Sequence, residues 1–282
     1  MMAARTPMTL RRLLLVTAVV GLGALATRRA HANRDPSELS VGGSLGSHDA
    51  HFACAPDVRV RHASGGFVYR RTFEEQGGDK GEGPVIDARA GFGITAITEV
   101  DQRGIDATTK QPNNAQQLYD NEHDRGHFLA TAQVSGGWDW GVIAVQGGLG
   151  YFGMADTADD RTFRARYYPL PVLEARFGKK KGFSLDTGLG AAPLPGLTRW
   201  YSGYAIGQYR FKEGGEIGAG VLGVPASQLD RRAGVLFKGS FPVTPWLSLG
   251  GFGLVDANDK SHLGTLNWTA GGTVTFLLDG LE

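Results

Sequence analysis

Ten charged side chains are the residues of this 282-residue sequence whose types and spacing most clearly imply a shared chemistry: Arg70, Glu74, Asp87, Arg89, Glu174, Arg176, Asp186, Arg210, Arg232 and Lys238. They sit in segments that are otherwise half apolar, two, four or six positions from another charged or polar residue, as in Asp87 and Arg89 or Glu174 and Arg176. On a strand such positions share a face. Charges of both signs gathered on one face can pair between strands, or line a water-filled conduit. Open to water, the basic members would favour anions, but the acids, with Glu216 added, oppose them, so ion selectivity is not assigned by the sequence.

Other sites of potential chemistry fall between the patterned segments. His48, His51 and Cys54 are spaced by three with Asp49 adjacent, and imidazole, thiolate and carboxylate together suit a borderline metal. The six histidines beyond the leader, His48, His51, His62, His123, His127 and His262, all fall in or beside segments read as long loops. A loop without a strand or helix to fix its side chains rarely preorganises a metal site, and the ordinary reading is a solvated loop. The acidic runs at 120–124, 156–160 and 256–259 could hold calcium but lack the ligand spacing of a calcium hand. Ser135, Ser202 or Ser261 with His127 could be named for nucleophilic catalysis, yet no G-x-S-x-G or comparable signature surrounds them. No enzyme, no catalytic residue and no cofactor is expected.

The elements that must carry the ten charges are strands. Glycine contributes 43 residues and aromatics 10%, while only 20% of residues are charged. Each glycine costs a helix about 1 kcal/mol, so this mixture suits pleated strands better. Residues 1–32 form a separate segment. Arg5, Arg11 and Arg12 precede an uncharged, mostly apolar run over 13–27, and Ala30-His31-Ala32 offers small residues where a signal peptidase cuts. That run is short of the ~20 residues a membrane helix needs. The expectation is a secretory signal cleaved after Ala32 and a single domain over 33–282. Cleavage removes five arginines and no acid, leaving 24 basic against 28 acidic residues, a net charge of −4 that makes nucleic acid a poor partner. With one cysteine, no internal disulfide can form.

From Val85 onward, segments of about ten residues alternate with period two, broken by Gly, Pro, Asp and Lys clusters. In the last, Leu266, Trp268, Ala270, Gly272, Val274 and Phe276 oppose Thr265, Asn267, Thr269, Gly271, Thr273 and Thr275. Short connections are expected at Ser135-Gly136-Gly137, 178–182, 212–215 and Pro242-Val243-Thr244-Pro245, and longer ones at 99–125, 153–164, 193–198, 225–230 and 256–261. Alternating short and long connections place the long ones at one end. Ten strands follow from Val85, and earlier segments at 66–74 and 39–47 raise the total to a preferred twelve, with ten as the fallback.

Alternation alone does not say which face points inward, since a soluble ligand-binding barrel shows the same period. Aromatic residues concentrate near strand ends, and the inner-face basic charges would cost about 2–4 kcal/mol each if turned to lipid at mid-depth. A closed antiparallel transmembrane barrel follows. The sequence thereby resembles the broad class of Gram-negative outer-membrane β-barrel proteins, over nearly all of the chain after the signal and without a family-specific motif. The resemblance implies delivery by the barrel-assembly machinery, short periplasmic turns, long outer loops, and contact with outer-membrane lipid and lipopolysaccharide. The chain is expected to be a monomer acting as a small passive pore or surface structural protein. The alternatives are a lipid-modifying barrel enzyme and a soluble periplasmic barrel that binds a small ligand.

Overall fold

Twelve alternating segments form twelve strands: β1 (Ser37–Phe52), β2 (Ala55–Thr72), β3 (Gly83–Val100), β4 (Gly126–Asp139), β5 (Ile143–Asp156), β6 (Arg164–Gly178), β7 (Gly182–Leu189), β8 (Gly203–Arg210), β9 (Glu216–Pro225), β10 (Arg231–Thr244), β11 (Leu247–Asp256) and β12 (Asn267–Leu277). Each pairs antiparallel with its sequence neighbours, and β1 closes the ring on β12, with Glu38 opposite Leu277 and Ser47 opposite Trp268. Closure leaves no strand edge with unpaired N–H and C=O groups, the condition that hydrocarbon imposes on a spanning structure. Twelve is the preferred total, and the two early strands complete it.

This computed structural model describes residues 37–52, 55–73, 82–100, 126–156, 164–179, 181–190, 194–197, 203–211, 214–225, 231–256 and 266–278. Within these, residues 50–52, 55–57, 100, 126–127, 154–156, 164–168, 224–225 and 231–232 are described by backbone path alone. The expected signal over 1–32 lies outside them.

From β3 onward the connections follow the short-and-long rhythm. Residues 140–142, 179–181, 211–215 and 245–246 join strands at one end, and 101–125, 157–163, 190–202, 226–230 and 257–266 join them at the other, all longer than the first set except 226–230, which equals 211–215 in length. The first two connections invert it: two residues link β1 to β2 at the long-loop end, and ten link β2 to β3 at the short-turn end. Two expected turns are corrected. Ser135, Gly136 and Gly137 continue β4, and the chain reverses at Trp140-Gly141-Val142. Gly141 has φ +78°, Trp140 N–H donates to the Ile143 carbonyl at 2.8 Å, and the Asp139 carboxylate accepts the Gly141 N–H at 2.8 Å. A side chain reaching its own backbone two residues on is a turn signal that outcompetes a bare glycine pair. Likewise β10 runs through Pro242 with a bulge before Thr244, and the turn is Pro245-Trp246.

The two faces of the wall are now assigned. Leu45, Val134, Leu149, Leu173, Phe183, Leu189, Ile217, Val235, Phe237, Leu266 and Trp268 are exposed on the outside, Leu149 reaching 72% and Phe183 67%. Their strand neighbours Ser44, Gln133, Ser135, Gln146, Glu174, Ser184, Asn267 and Thr269 are buried inside. A soluble barrel has the opposite distribution, because there water wets the outside. Apolar outside and polar inside is the pattern of a lipid-facing wall. Toward the short turns, Trp140, Phe177, Tyr209, Phe211 and Phe241 are exposed, as ring side chains are at a membrane–water boundary. No helix among the described residues is long and apolar enough to cross a membrane.

Candidate functional site in the lumen

Inward-facing charges pair along a strand and between adjacent strands, and a few contacts reach across intervening strands. Asp87 is fully buried and accepts Arg70 through Nε at 3.1 Å and Nη2 at 3.0 Å, and Arg89 through Nε at 2.6 Å and Nη2 at 3.1 Å. Arg89 Nη2 also reaches Glu174 on β6 at 2.7 Å, three strands away around the wall. Tyr204 on β8 donates its hydroxyl to the other Glu174 oxygen at 2.6 Å. Arg176 binds Asp139 at 2.7 Å and the Gly141 carbonyl at 2.9 Å, tying β6 to the β4–β5 turn. Glu216 accepts Lys238 at 2.8 Å and Arg210 at 3.1 Å, and the Gln208 amide donates to Asp186 at 2.7 Å. Bonds to ionised groups are the strong ones, and low-dielectric surroundings strengthen them further.

A turn from the long-loop end reaches into this polar chamber. Residues 194–197, between β7 and β8, fold into the barrel, with Leu197 N–H donating to the Leu194 carbonyl at 3.3 Å. On one side Leu194 and Leu197 pack on Ile206, Leu222, Leu236, Phe252 and Leu254, which are inward-facing residues of β8 to β11. On the other, the Gly196 carbonyl accepts the hydroxyls of Ser44, at 2.9 Å, and Ser64. The wall there is bare: a Cβ on Gly42 would stand 2.8 Å from the Pro195 carbonyl, and one on Gly196, whose φ is +85°, 3.0 Å from Gly43. Glycine on both partners permits that approach. Beneath the turn lies a cavity of about 200 Å³, roofed by Leu194 and Pro195.

Of the ten charges singled out in the sequence, Arg70, Arg89, Glu174, Arg176, Asp186, Arg210 and Lys238 line this one cavity, and Asp87 sits behind Arg70 and Arg89. Glu74 lies outside the described residues, and Arg232 lies on β10 with its backbone alone described. The sequence did not single out Glu38, Asp139, Tyr204 and Gln208, nor the inserted turn, read there as an ordinary surface loop. One signal was available. Where alternation gives way to an unbroken apolar run, as in Ala233 to Phe237 with Leu236 inward, the lumen itself is apolar and something apolar must fill it.

The histidine expectation is corrected for two residues: His48 lies in β1 and His62 in β2, because those strands are longer than the alternation indicates. Their rings stand 5.6 Å apart, and His62 is buried with a ring nitrogen 3.2 Å from the Thr269 hydroxyl. His51 is described by backbone alone, and Cys54, His123 and His262 lie outside the described residues, as do Ser202 and Ser261. Among the described residues no three His, Cys, Asp or Glu side chains are grouped to hold a metal. Ser135 faces inward, buried, with its hydroxyl 3.4 Å from Gln146.

No family model and no curated protein matches the sequence. Among solved structures the chain is similar to an outer membrane channel from Pseudomonas putida F1, at 10% identity over 89% of this chain and 98% of that one, with a TM-score of 0.53. The fold is that of a Gram-negative outer-membrane β-barrel. Looser likenesses are to the translocator domain of the autotransporter NalP from Neisseria meningitidis, 9% identical over 94% of this chain and 96% of that one (TM-score 0.45), and to outer membrane phospholipase A from Escherichia coli, 11% identical over 84% and 89% (TM-score 0.37). At such identities the likeness is one of fold. The lumen of this outer-membrane barrel holds a paired charge network under an inserted apolar turn.

Proposed function

We propose that this protein resides in the outer membrane as a monomer, in contact with lipopolysaccharide, and acts as a narrow passive pore whose constriction is the turn 194–197. One observation carries the reading: the chamber is roofed by a separate piece of chain, not by side chains of the wall. A barrel serving only as a scaffold can fill its lumen from its own strands, as small barrels do. Here the filling segment is held by two serine hydroxyls and by apolar packing, contacts that can be released without unpairing any strand. A narrow lumen crowded with paired charges suits small hydrophilic solutes.

Two measurements test this. First, the protein should fractionate with outer membranes, require detergent for extraction, and run faster on a gel before boiling than after; release in a detergent-free periplasmic extract overturns the location. Second, in planar bilayers the purified protein should give small conductance steps. Replacing residues 194–197 by Gly-Ser-Gly-Ser, or making Gly196→Val, whose side chain collides with Gly43 in a backbone conformation that suits glycine, should raise the step size severalfold. Absence of steps from all three forms sinks the pore.

A further inference from the structure

The lumen charges nearly balance in number, but water does not meet them equally. Side-chain exposure of Arg70 is 42% where its partner Asp87 has none, and that of Arg210 is 40% where Glu216 has about half as much. Glu174 and Asp139 are buried under Arg89 and Arg176. Asp87, Glu174, Asp139 and Glu216 thus lie deeper than the cavity surface, where Arg70 and Arg210 are wetted beside the half-buried Glu38 and Asp186.

Their placement adds to this. Arg70 is on β2 and Arg210 on β8, six strands apart in a ring of twelve whichever way one counts, so they stand on opposite walls. Both line the same cavity. Among the described residues, Arg70 commits Nε and Nη2 to Asp87 and Arg210 commits Nη2 to Glu216, so each guanidinium retains N–H donors for a further acceptor. Two acids moderate them. Glu38, half-buried, is the register partner of Arg70 and acts on both arginines, and Asp186 lies in the positive field of Lys238, Arg70, Arg210 and Arg176.

We propose that Arg70 and Arg210 form a two-walled anion site across the lumen, so that the pore admits small inorganic anions in preference to cations. The transport half of this statement rests on the pore reading; the binding half does not. Guanidinium groups suit the site because their charge is permanent and their planar donors can be shared between a carboxylate and a second anion.

Each arginine is the second cation on a carboxylate that has another. Asp87 keeps Arg89 and Glu216 keeps Lys238 when Arg70→Gln and Arg210→Gln are made, so the double variant orphans no buried charge and should fold. In planar bilayers under a KCl gradient, the wild type should reverse on the chloride side, with chloride more permeant than potassium, because the acids and bases around the cavity balance in number and the two wetted guanidinium groups meet the ion first. The chloride-to-potassium permeability ratio should fall to about one or below in the double variant and rise in Glu38→Gln. Independently of conduction, the detergent-solubilised protein should broaden the chlorine-35 resonance of added chloride, and the double variant should lose most of that broadening while keeping its heat-shifted gel band. A folded double variant with unchanged ratio and unchanged broadening overturns the proposal. If nothing conducts, the pore reading fails and the chloride broadening alone decides the anion site.

Discussion

Arg89→Leu should destabilise the folded barrel by about 3–5 kcal/mol, the usual cost of removing one partner from a buried ion pair. Among the described residues, Arg89 is the cation that touches both Asp87 and Glu174. Without it, Glu174 keeps only the Tyr204 hydroxyl among the contacts described above, and Asp87 keeps only the more exposed Arg70. Leucine supplies volume but no charge, so the loss is electrostatic, the desolvation cost of a carboxylate left without a counter-ion. The contact also spans β3 to β6, so losing it removes a strut between walls that no backbone hydrogen bond joins. The contrast is Arg70→Gln, where Asp87 retains Arg89, no buried carboxylate is left without a counter-ion, and the expected cost is smaller than that of Arg89→Leu. Denaturant unfolding of both variants in lipid vesicles, followed by tryptophan fluorescence, checks the difference. Equal midpoints would mean that the chord from Arg89 to Glu174 does not hold the walls together.

The second large effect lies on the outer face. Leu149, near the middle of β5, points outward between Val134 on β4 and Pro171 on β6. If that surface meets hydrocarbon, Leu149→Arg costs about 2–4 kcal/mol, and the cost fades to about 0–1 near the interface. Val142, exposed in the turn between β4 and β5, supplies the interfacial control, so Val142→Arg should be nearly neutral. A soluble barrel with the same exposures predicts no such gradient, because exposed leucine-to-arginine changes in water usually stay within about 0.5 kcal/mol. Unfolding free energies of the two variants in vesicles give the comparison directly. A neutral Leu149→Arg would contradict a lipid-facing wall.

The two effects probe opposite faces of the same strands and have one cause. In hydrocarbon the outer residues need no partner and the backbone is satisfied by ring closure, so every polar side chain the sequence carries must find its partner within the lumen. The interior then resembles the surface of a soluble protein folded in on itself, but with less water, which is why its pairs matter more than surface pairs do. The inserted turn is the exception. Its apolar side chains pack against the one part of the wall where the inward positions are Ile206, Leu222, Leu236, Phe252 and Leu254.

By itself the sequence determined the strands, their even number and the closed antiparallel ring. A period of two is a local property that lipid on one side and a lumen on the other leave undisturbed. Local patterning also located the turns at 179–181 and 211–215, where lysine and glycine clusters interrupt the alternation. It misplaced the turn at Trp140-Gly141-Val142, which depends on the Asp139 side chain bonding back to its own backbone. Only the tertiary structure decided which charges pair. Arg89 meets Glu174 and Tyr204 meets Glu174 across intervening strands, and the separations of 85 and 30 residues follow from barrel diameter and stagger, not from spacing along any strand. It alone also drew residues 194–197 inward, since a short Pro- and Gly-containing segment reads as a surface loop until the bare glycine wall at Gly42 and Gly43 and the apolar patch opposite are brought to face each other.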